Sequence, residues 1–257
     1  MRNRYLVVAL CLGGLSLCAS RAAAQDHVAE LGVMLWKPSP ELSLSSDAVA
    51  GSSVNQVDFV QEFGIEEKWF PEFRAAIGRG HKFRVSHVKF SYDAEATIQR
   101  TFSFQGRTFS VGAPASTDIN WDLWTVGYEW DFVSRPQGYF GVIADLKVNT
   151  IKASVDSPAL RSTAATDTTA PVPTIGVAGR GYLSKMIAIG AEFSGLKVDR
   201  SDFNVKFFDF DINGMVAVTP NVGAQVGYRS VTATYVVDQD TGDLKMKGPY
   251  VGAFVRF

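Results

Sequence analysis

The sequence predicts an all-β fold: an antiparallel up-and-down barrel that crosses a membrane on ten strands. Three observations predict it. The chain opens with a basic, then apolar, then small-residue stretch of the kind that directs export. Ten segments follow in which apolar residues alternate with other types. The last of these, Tyr250-Val251-Gly252-Ala253-Phe254-Val255-Arg256-Phe257, sets Val251, Ala253, Val255 and Phe257 on one face and stops on the aromatic. Successive side chains of a strand point to opposite faces, so this alternation reads as one apolar and one polar face.

In the opening stretch, Met1-Arg2-Asn3-Arg4 is the basic flank, Tyr5 to Ala19 the apolar core and Ala22-Ala23-Ala24 the cleavage site. Residues 1–24 are therefore expected to be a signal peptide and 25–257 a single barrel domain. Cleavage leaves 233 of 257 residues, with 22 basic against 26 acidic side chains and a formal charge of −4. That balance does not suggest a nucleic-acid partner, which calls for a strongly basic face. Cys11 and Cys18 both fall in the signal, so the exported chain has no disulfide and no cysteine metal site. A lipid-anchor role for Cys18 fits poorly with the Leu that precedes it. No exported segment has the ~18 consecutive apolar residues of a transmembrane helix. Membrane crossing must rest on strands, because in lipid only helices and closed barrels satisfy every backbone polar group.

In chain order the strand-like segments are 27–37, 70–79, 81–92, 119–133, 138–154, 172–183, 185–197, 207–219, 221–237 and 247–257. Short connections join them in pairs: Gly78-Arg79-Gly80-His81, Ser134-Arg135-Pro136-Gln137, Leu183-Ser184-Lys185-Met186 and Thr219-Pro220-Asn221. These carry the Gly, Pro, Ser and Asn that turns favour. Long connections alternate with them, at 38–69, 93–118, 155–171, 198–206 and 238–246. An even count puts both chain ends on the short-turn side. Eight strands is the alternative, and requires discarding two segments.

Two long connections have internal order. Thr101 to Val111 reads as a small hairpin turning at Gln105-Gly106, extending the wall beyond the membrane. Connection 38–69 carries apolar patches at Leu42-Ser43-Leu44 and Phe59-Val60, suited to folding over the mouth. Connection 155–171 is rich in Ser, Thr, Ala and Pro and reads as mobile. Asp238-Gln239-Asp240-Thr241-Gly242-Asp243 has the acidic start of a calcium loop but lacks the later bidentate Glu, and reads as a polar hairpin turn.

Assigning the apolar set of each strand to lipid turns the remainder inward. Phe140, Val142, Ala144, Leu146 and Val148 face out, leaving Asp145 and Lys147 inside. Trp124, Val126, Tyr128, Trp130 and Phe132 face out, leaving Glu129 and Asp131 inside. Above Trp124 the phase reverses, with Ile119, Trp121 and Leu123 apolar. The segment 221–237 reverses too, from Val222, Ala224, Val226 and Tyr228 to Val231, Ala233 and Tyr235. A reversal implies a bulge or a strand leaving the bilayer.

Continued round the barrel, the inward charges are Glu30, Glu72, Arg74, Arg84, Glu129, Asp131, Asp145, Lys147, Arg180, Glu192, Asp209, Asp211, Arg229 and Arg256. A barrel of this size is barely wider than its own side chains, and unpaired buried charges cost several kcal/mol. The lumen therefore reads as a salt-bridged plug, with a narrow charged pore as the alternative. Aromatic residues cluster near strand ends and suggest two interfacial girdles. Trp130, Phe132, Phe140, Tyr182 and Phe257 would form one. Trp36, Phe70, Phe73, Phe90, Tyr92, Trp124, Phe208, Phe210 and Tyr235 would form the other.

The export signal, the rhythm of short turns and long loops, and the terminal Val255-Arg256-Phe257 together resemble the small bacterial outer-membrane β-barrels, including OmpA-like and OmpW-like proteins. The resemblance spans the exported chain. It implies short periplasmic turns, long extracellular loops and an outer-membrane address. Its implied partners are outer-membrane lipid, lipopolysaccharide and the barrel-assembly machinery acting through the C-terminal strand, with no cofactor and a monomeric state. Members include anchors, channels, adhesins and a few enzymes, so the fold does not select a role. No soluble peptidoglycan-binding domain is expected after the last strand. Lipid-A deacylases place a His and a Ser two residues apart on one strand, whereas His87 here is followed by Val88-Lys89. Omptin proteases use an Asp/His pair at the extracellular rim, where no histidine is expected in this chain. The sequence thus predicts no enzyme. Lys89, Arg100 and Arg107 are candidate contacts for lipopolysaccharide phosphates.

Overall fold

The computed structural model describes residues 27–45, 57–200, 203–237 and 240–257. The expected signal peptide, residues 46–56 and positions 238–239 of the acidic turn lie outside them. Ten strands close an antiparallel barrel: β1 (Ala29–Trp36), β4 (Phe70–Gly78), β5 (His81–Thr97), β8 (Pro114–Arg135), β9 (Gly138–Ser157), β10 (Ser162–Tyr182), β11 (Ile187–Arg200), β12 (Phe203–Ala217), β13 (Val222–Val237) and β14 (Asp240–Arg256). They follow in chain order round the wall, and β1 pairs with β14 to close it, from Glu30 opposite Arg256 to Trp36 opposite Tyr250. Closure leaves no open sheet edge at this level. The eight-strand alternative is excluded.

The wall is taller than the alternation alone suggested. β9 and β10 stay paired from Ser157–Ser162 down to Gly138–Gly181. The Ser/Thr/Ala/Pro stretch expected to be mobile is instead mostly ladder, turning through a short 3-10 segment at Pro158–Leu160. Thr is a good strand former once a partner strand is present. The connection 93–118 is shortened in the same way by β5 and β8, whose last pair is Thr97 with Pro114.

The reversals of phase occur without a bulge. β5 and β8 keep one register from His81–Trp130 to Thr97–Pro114, and β13 keeps one register with each neighbour along its length. The β8–β9 ladder shifts only between Trp130 and Val133, at the turn end. Parity is therefore fixed while the chemistry changes. Trp124, Val126, Tyr128, Trp130 and Phe132 are exposed on the outside, whereas Ile119, Trp121 and Leu123 on the same strand are buried inside. The bulge explanation fails, and the outer face changes from apolar to polar while the inner face changes with it, as expected of a strand that leaves the bilayer.

The outward apolar residues form a belt that includes Leu31, Val33, Leu35, Phe73, Phe83, Ile175, Val177, Phe193, Phe210, Ile212, Val226 and Val251. Beyond it, on the loop side, outward positions turn polar and the interior fills with an apolar core. Trp36, Phe70, Phe90 and Tyr92, expected in a girdle, belong to this core, and Tyr235 packs against it. Phe90 meets Trp36 and Phe70 edge-on at 5.3 and 5.2 Å. Alternation marked these rings as one face of a strand but could not say which solvent lay beyond.

The long connections close over this core. β2 (Ser39–Ser45) continues from β1 and pairs with β14, and β3 (Val57–Asp58) pairs with β2. The short helix α1 (Phe59–Phe63) starts at Asp58, whose Oδ1 accepts from the Val60 and Gln61 amides at 3.0 and 3.1 Å. This satisfies amide donors that the first turn leaves free. Strands β6 (Phe102–Phe104) and β7 (Arg107–Phe109) form the expected hairpin, with positive φ at Gln105 and Gly106 as a tight two-residue turn requires. It does not extend the wall: it is a separate sheet, and Phe102, Phe104 and Phe109 are buried in the core, Phe104 against Phe59 at 5.7 Å.

Candidate functional site

Below the apolar core, toward the short turns, the inward positions are charged. Near the chain ends, Glu30 receives a two-pronged contact from Arg180 at 2.8 and 2.9 Å and a third bond from Arg256 Nε at 2.6 Å. The planar guanidinium matches the carboxylate fork, which makes such pairs strong and directional. Alongside, Lys82 bridges Glu129 at 2.6 Å and Asp131 at 2.7 Å. Arg84 joins Glu129 to Glu192. The Tyr139 ring lies 3.5 Å from Lys82 Nζ and 5.7 Å from the Arg180 guanidinium, so both cations face its π surface.

One layer higher the network is more deeply buried. Arg229 bonds Asp209 through Nε and Nη2, at 3.0 and 2.8 Å, and Glu72 through Nη1 at 2.6 Å. Glu72 also accepts from Arg74 at 2.6 Å, and Arg74 continues to Asp211 at 2.9 Å. Lys147 reaches Asp209 at 2.7 Å and Asp145 at 3.8 Å. Tyr250 donates its hydroxyl to Asp211 at 2.9 Å. The structure thus brings all fourteen inward charges named from the sequence into ion-paired contact.

Lys82 is a fifteenth member that the sequence reading did not name. Its signal was present: it shares parity with Arg84, and outward Phe83 lies between them.

The two layers meet through cation–π contacts. Arg229 lies 5.1 Å from the Trp36 ring, Arg74 5.3 Å from Tyr250 and Lys147 5.7 Å from Phe207. A cavity of about 270 Å³ opens among the turns and reaches up past Arg180, Glu192 and Arg84 to Lys147, Asp209 and Arg229. It stops beneath Trp36, Phe90, Trp121, Phe207 and Met246, each no more than 1 % exposed.

Two of the histidines, His81 and His87, stand apart from the lumen network, while His27 lines the turn-side cavity. His81 meets the Tyr128 hydroxyl at the turn end. His87 faces outward near the belt's loop-side edge, stacked on Trp124 at 4.1 Å, with Nε2 3.0 Å from Asp122 Oδ1. His27 precedes β1. Among the described residues no group of three His, Cys, Asp or Glu side chains is placed to hold a metal ion. No helix there is long and apolar enough to cross a membrane, and the apolar belt is carried by strands.

These features define a closed ten-stranded barrel of the outer-membrane type with an ion-paired lumen. Among solved structures, the outer membrane protease OmpT from Escherichia coli is similar to it, covering 93% of this chain and 100% of that one at 10% identity with a TM-score of 0.63. Looser matches include Neisserial surface protein A, at 14% identity over 89% of this chain and 97% of that one with a TM-score of 0.35. The Pseudomonas putida toluene transporter TodX matches at 8% identity over 93% of this chain and 92% of that one with a TM-score of 0.37. No family model matches the sequence, and no curated protein matches it. At such identities the likeness to OmpT shows the fold and leaves activity open.

Proposed function

We propose that this protein is a closed, non-conducting barrel of the bacterial outer membrane with an envelope-structural or surface-binding role, its loop-side rim being the working surface. The observation that carries this reading is the apolar layer above the charged lumen. A water path through the barrel would have to cross Trp36, Phe90, Trp121, Phe207 and Met246, which pack as a protein interior does. The ion-paired lumen below them serves as a plug, and the protein acts as a monomer delivered by the assembly machinery through its C-terminal strand. The test is single-channel recording of the inserted protein in a planar bilayer. Silence from folded protein is expected; steady stepwise currents would overturn the reading.

A second reading, a narrow pore for small hydrophilic or amphipathic solutes, is favoured by the turn-side cavity that Arg74, Arg180 and Arg229 line. It predicts those currents, with ion selectivity changed by Arg180→Gln. A third, a lipid-modifying enzyme, is favoured by the His87–Asp122 pair at the belt's edge. We read the chain as no enzyme, since its three histidines lie away from the loop-side rim. His87→Ala should leave the acylation pattern of the host's lipid A unchanged by mass spectrometry, and an altered pattern would favour the enzyme.

A further inference from the structure

On its loop side the belt ends in a ring of polar outward positions. Several of its charges are answered within the chain: Lys247 and Lys245 by Glu41, and Lys152 by Asp167. β11 and β12 differ. Lys197 and Lys206 stand directly opposite each other across the ladder, both outward, since their inward neighbours Leu196 and Phe207 pack in the core. Neither ammonium has an ion-pair partner among the described residues. The carboxylate next along this face, Asp199, is bonded by Asn204 at 3.2 Å. Like charges at directly opposed ladder positions destabilise a sheet, so the barrel carries here a repulsion that no described side chain relieves.

The surroundings say what would relieve it. Immediately below on the same face, at the top of the belt, the Phe193 and Phe208 rings stack at 5.9 Å. An anion held by the two lysines would therefore have hydrocarbon beneath it and water above, the position of a lipid headgroup. Two ammonium groups match a phosphate monoester, with its ~1.5–2 negative charges near neutrality, better than the single charge of a phosphodiester. We propose that Lys197 and Lys206 form a site for the phosphate monoester of a lipid A headgroup in the loop-side leaflet, with Phe193 and Phe208 beneath its acyl chains. The inference rests on the membrane placement of the belt in the proposed function, and adds a ligand class and two residues to it.

The test is native mass spectrometry of the exported chain, purified in detergent and titrated with diphosphoryl lipid A, dephosphorylated lipid A, phosphatidylglycerol and inorganic phosphate. The wild type should retain one diphosphoryl lipid A at least tenfold more tightly than any other probe. The Lys197→Gln/Lys206→Gln variant should lose that preference. A second variant guards against misfolding. Lys206→Glu replaces repulsion with attraction, so it should melt at a higher temperature than wild type in lipid-free detergent. Diphosphoryl lipid A should raise the wild-type melting temperature and leave that of Lys206→Glu unmoved. Equal lipid A binding by wild type and the double variant, both folded, would overturn the site, as would a preference for phosphatidylglycerol or equally tight inorganic phosphate. Partition of the wild type into water on detergent phase separation would instead overturn the membrane reading, and this site with it.

Discussion

The two halves of the barrel interior are built on opposite plans. Toward the turns the wall is apolar outside and charged inside; toward the loops it is polar outside and apolar inside. One continuous ladder runs through both. The difference shows what each environment supplies. Against lipid, the outward face gains little by leaving hydrocarbon for more hydrocarbon, so the interior must hold the wall by directional contacts, and Arg229, Asp209, Glu72 and Lys147 do so. Against water, burial of Trp36, Phe90, Trp121 and Phe207 is itself the driving force. The charged half depends on shared partners, with Lys82, Lys147 and Arg229 each serving two carboxylates, whereas the apolar half is a sum of contacts.

That contrast can be broken first at Arg229. Replacing it with Met removes three hydrogen bonds, leaves Asp209 to Lys147 and Glu72 to Arg74 alone, and should cost about 3–5 kcal/mol. Urea unfolding in vesicles, followed by tryptophan fluorescence, would measure it; a loss under about 1 kcal/mol would mean the network is solvated. Next, Leu123→Ala in the apolar half should cost about 2–4 kcal/mol by leaving a cavity, with no current in the bilayer. Third, Gly176→Ala would place a methyl carbon 2.0 Å from the Phe193 carbonyl oxygen where β10 and β11 approach. A backbone atom cannot swing away, so a loss of about 1–3 kcal/mol is expected from overpacking, read as an earlier melting midpoint. The smallest effect lies outside the membrane. The hydrogen bond from Lys247 holds the Glu41 carboxyl below its ordinary value. Its stabilisation is present above the unfolded-state value and is lost as pH falls through the folded one. Glu41→Gln should therefore cost about 0–1 kcal/mol at neutral pH, and the gap between variant and wild type should close in acid.

Much of this was legible in the sequence, and the failures share a cause. Strand number and turn positions followed from alternation and from Gly78, Pro136, Ser184 and Pro220. The charged side chains followed from parity with outward Val126 and Val142. Alternation reports that two faces differ, not which solvent each one meets. That is why Phe90 and Tyr92 read as girdle residues, and why the crossover above Trp124 read equally as a bulge. Composition misled at 155–171, where Thr163 to Thr169 look like a loop until β9 is beside them. The hairpin at Gln105-Gly106 was found by local turn chemistry, but its docking was not, because Phe104 is buried against Phe59 of a distant helix.

The unbroken register at the crossover also bears on how such a wall can evolve. Leu123 faces in and Trp124 faces out, yet both are apolar. One residue inserted between them would turn Leu123, Trp121 and Ile119 outward in line with Trp124, and Asp122, Asn120 and Asp118 inward. The strand would gain three apolar positions on its lipid face and lose its share of the loop-side core. Hydrophobic thickness is thus a digital property of this barrel, set strand by strand by where the pattern slips one residue, and a lineage moving to a thicker bilayer need change few side chains at all.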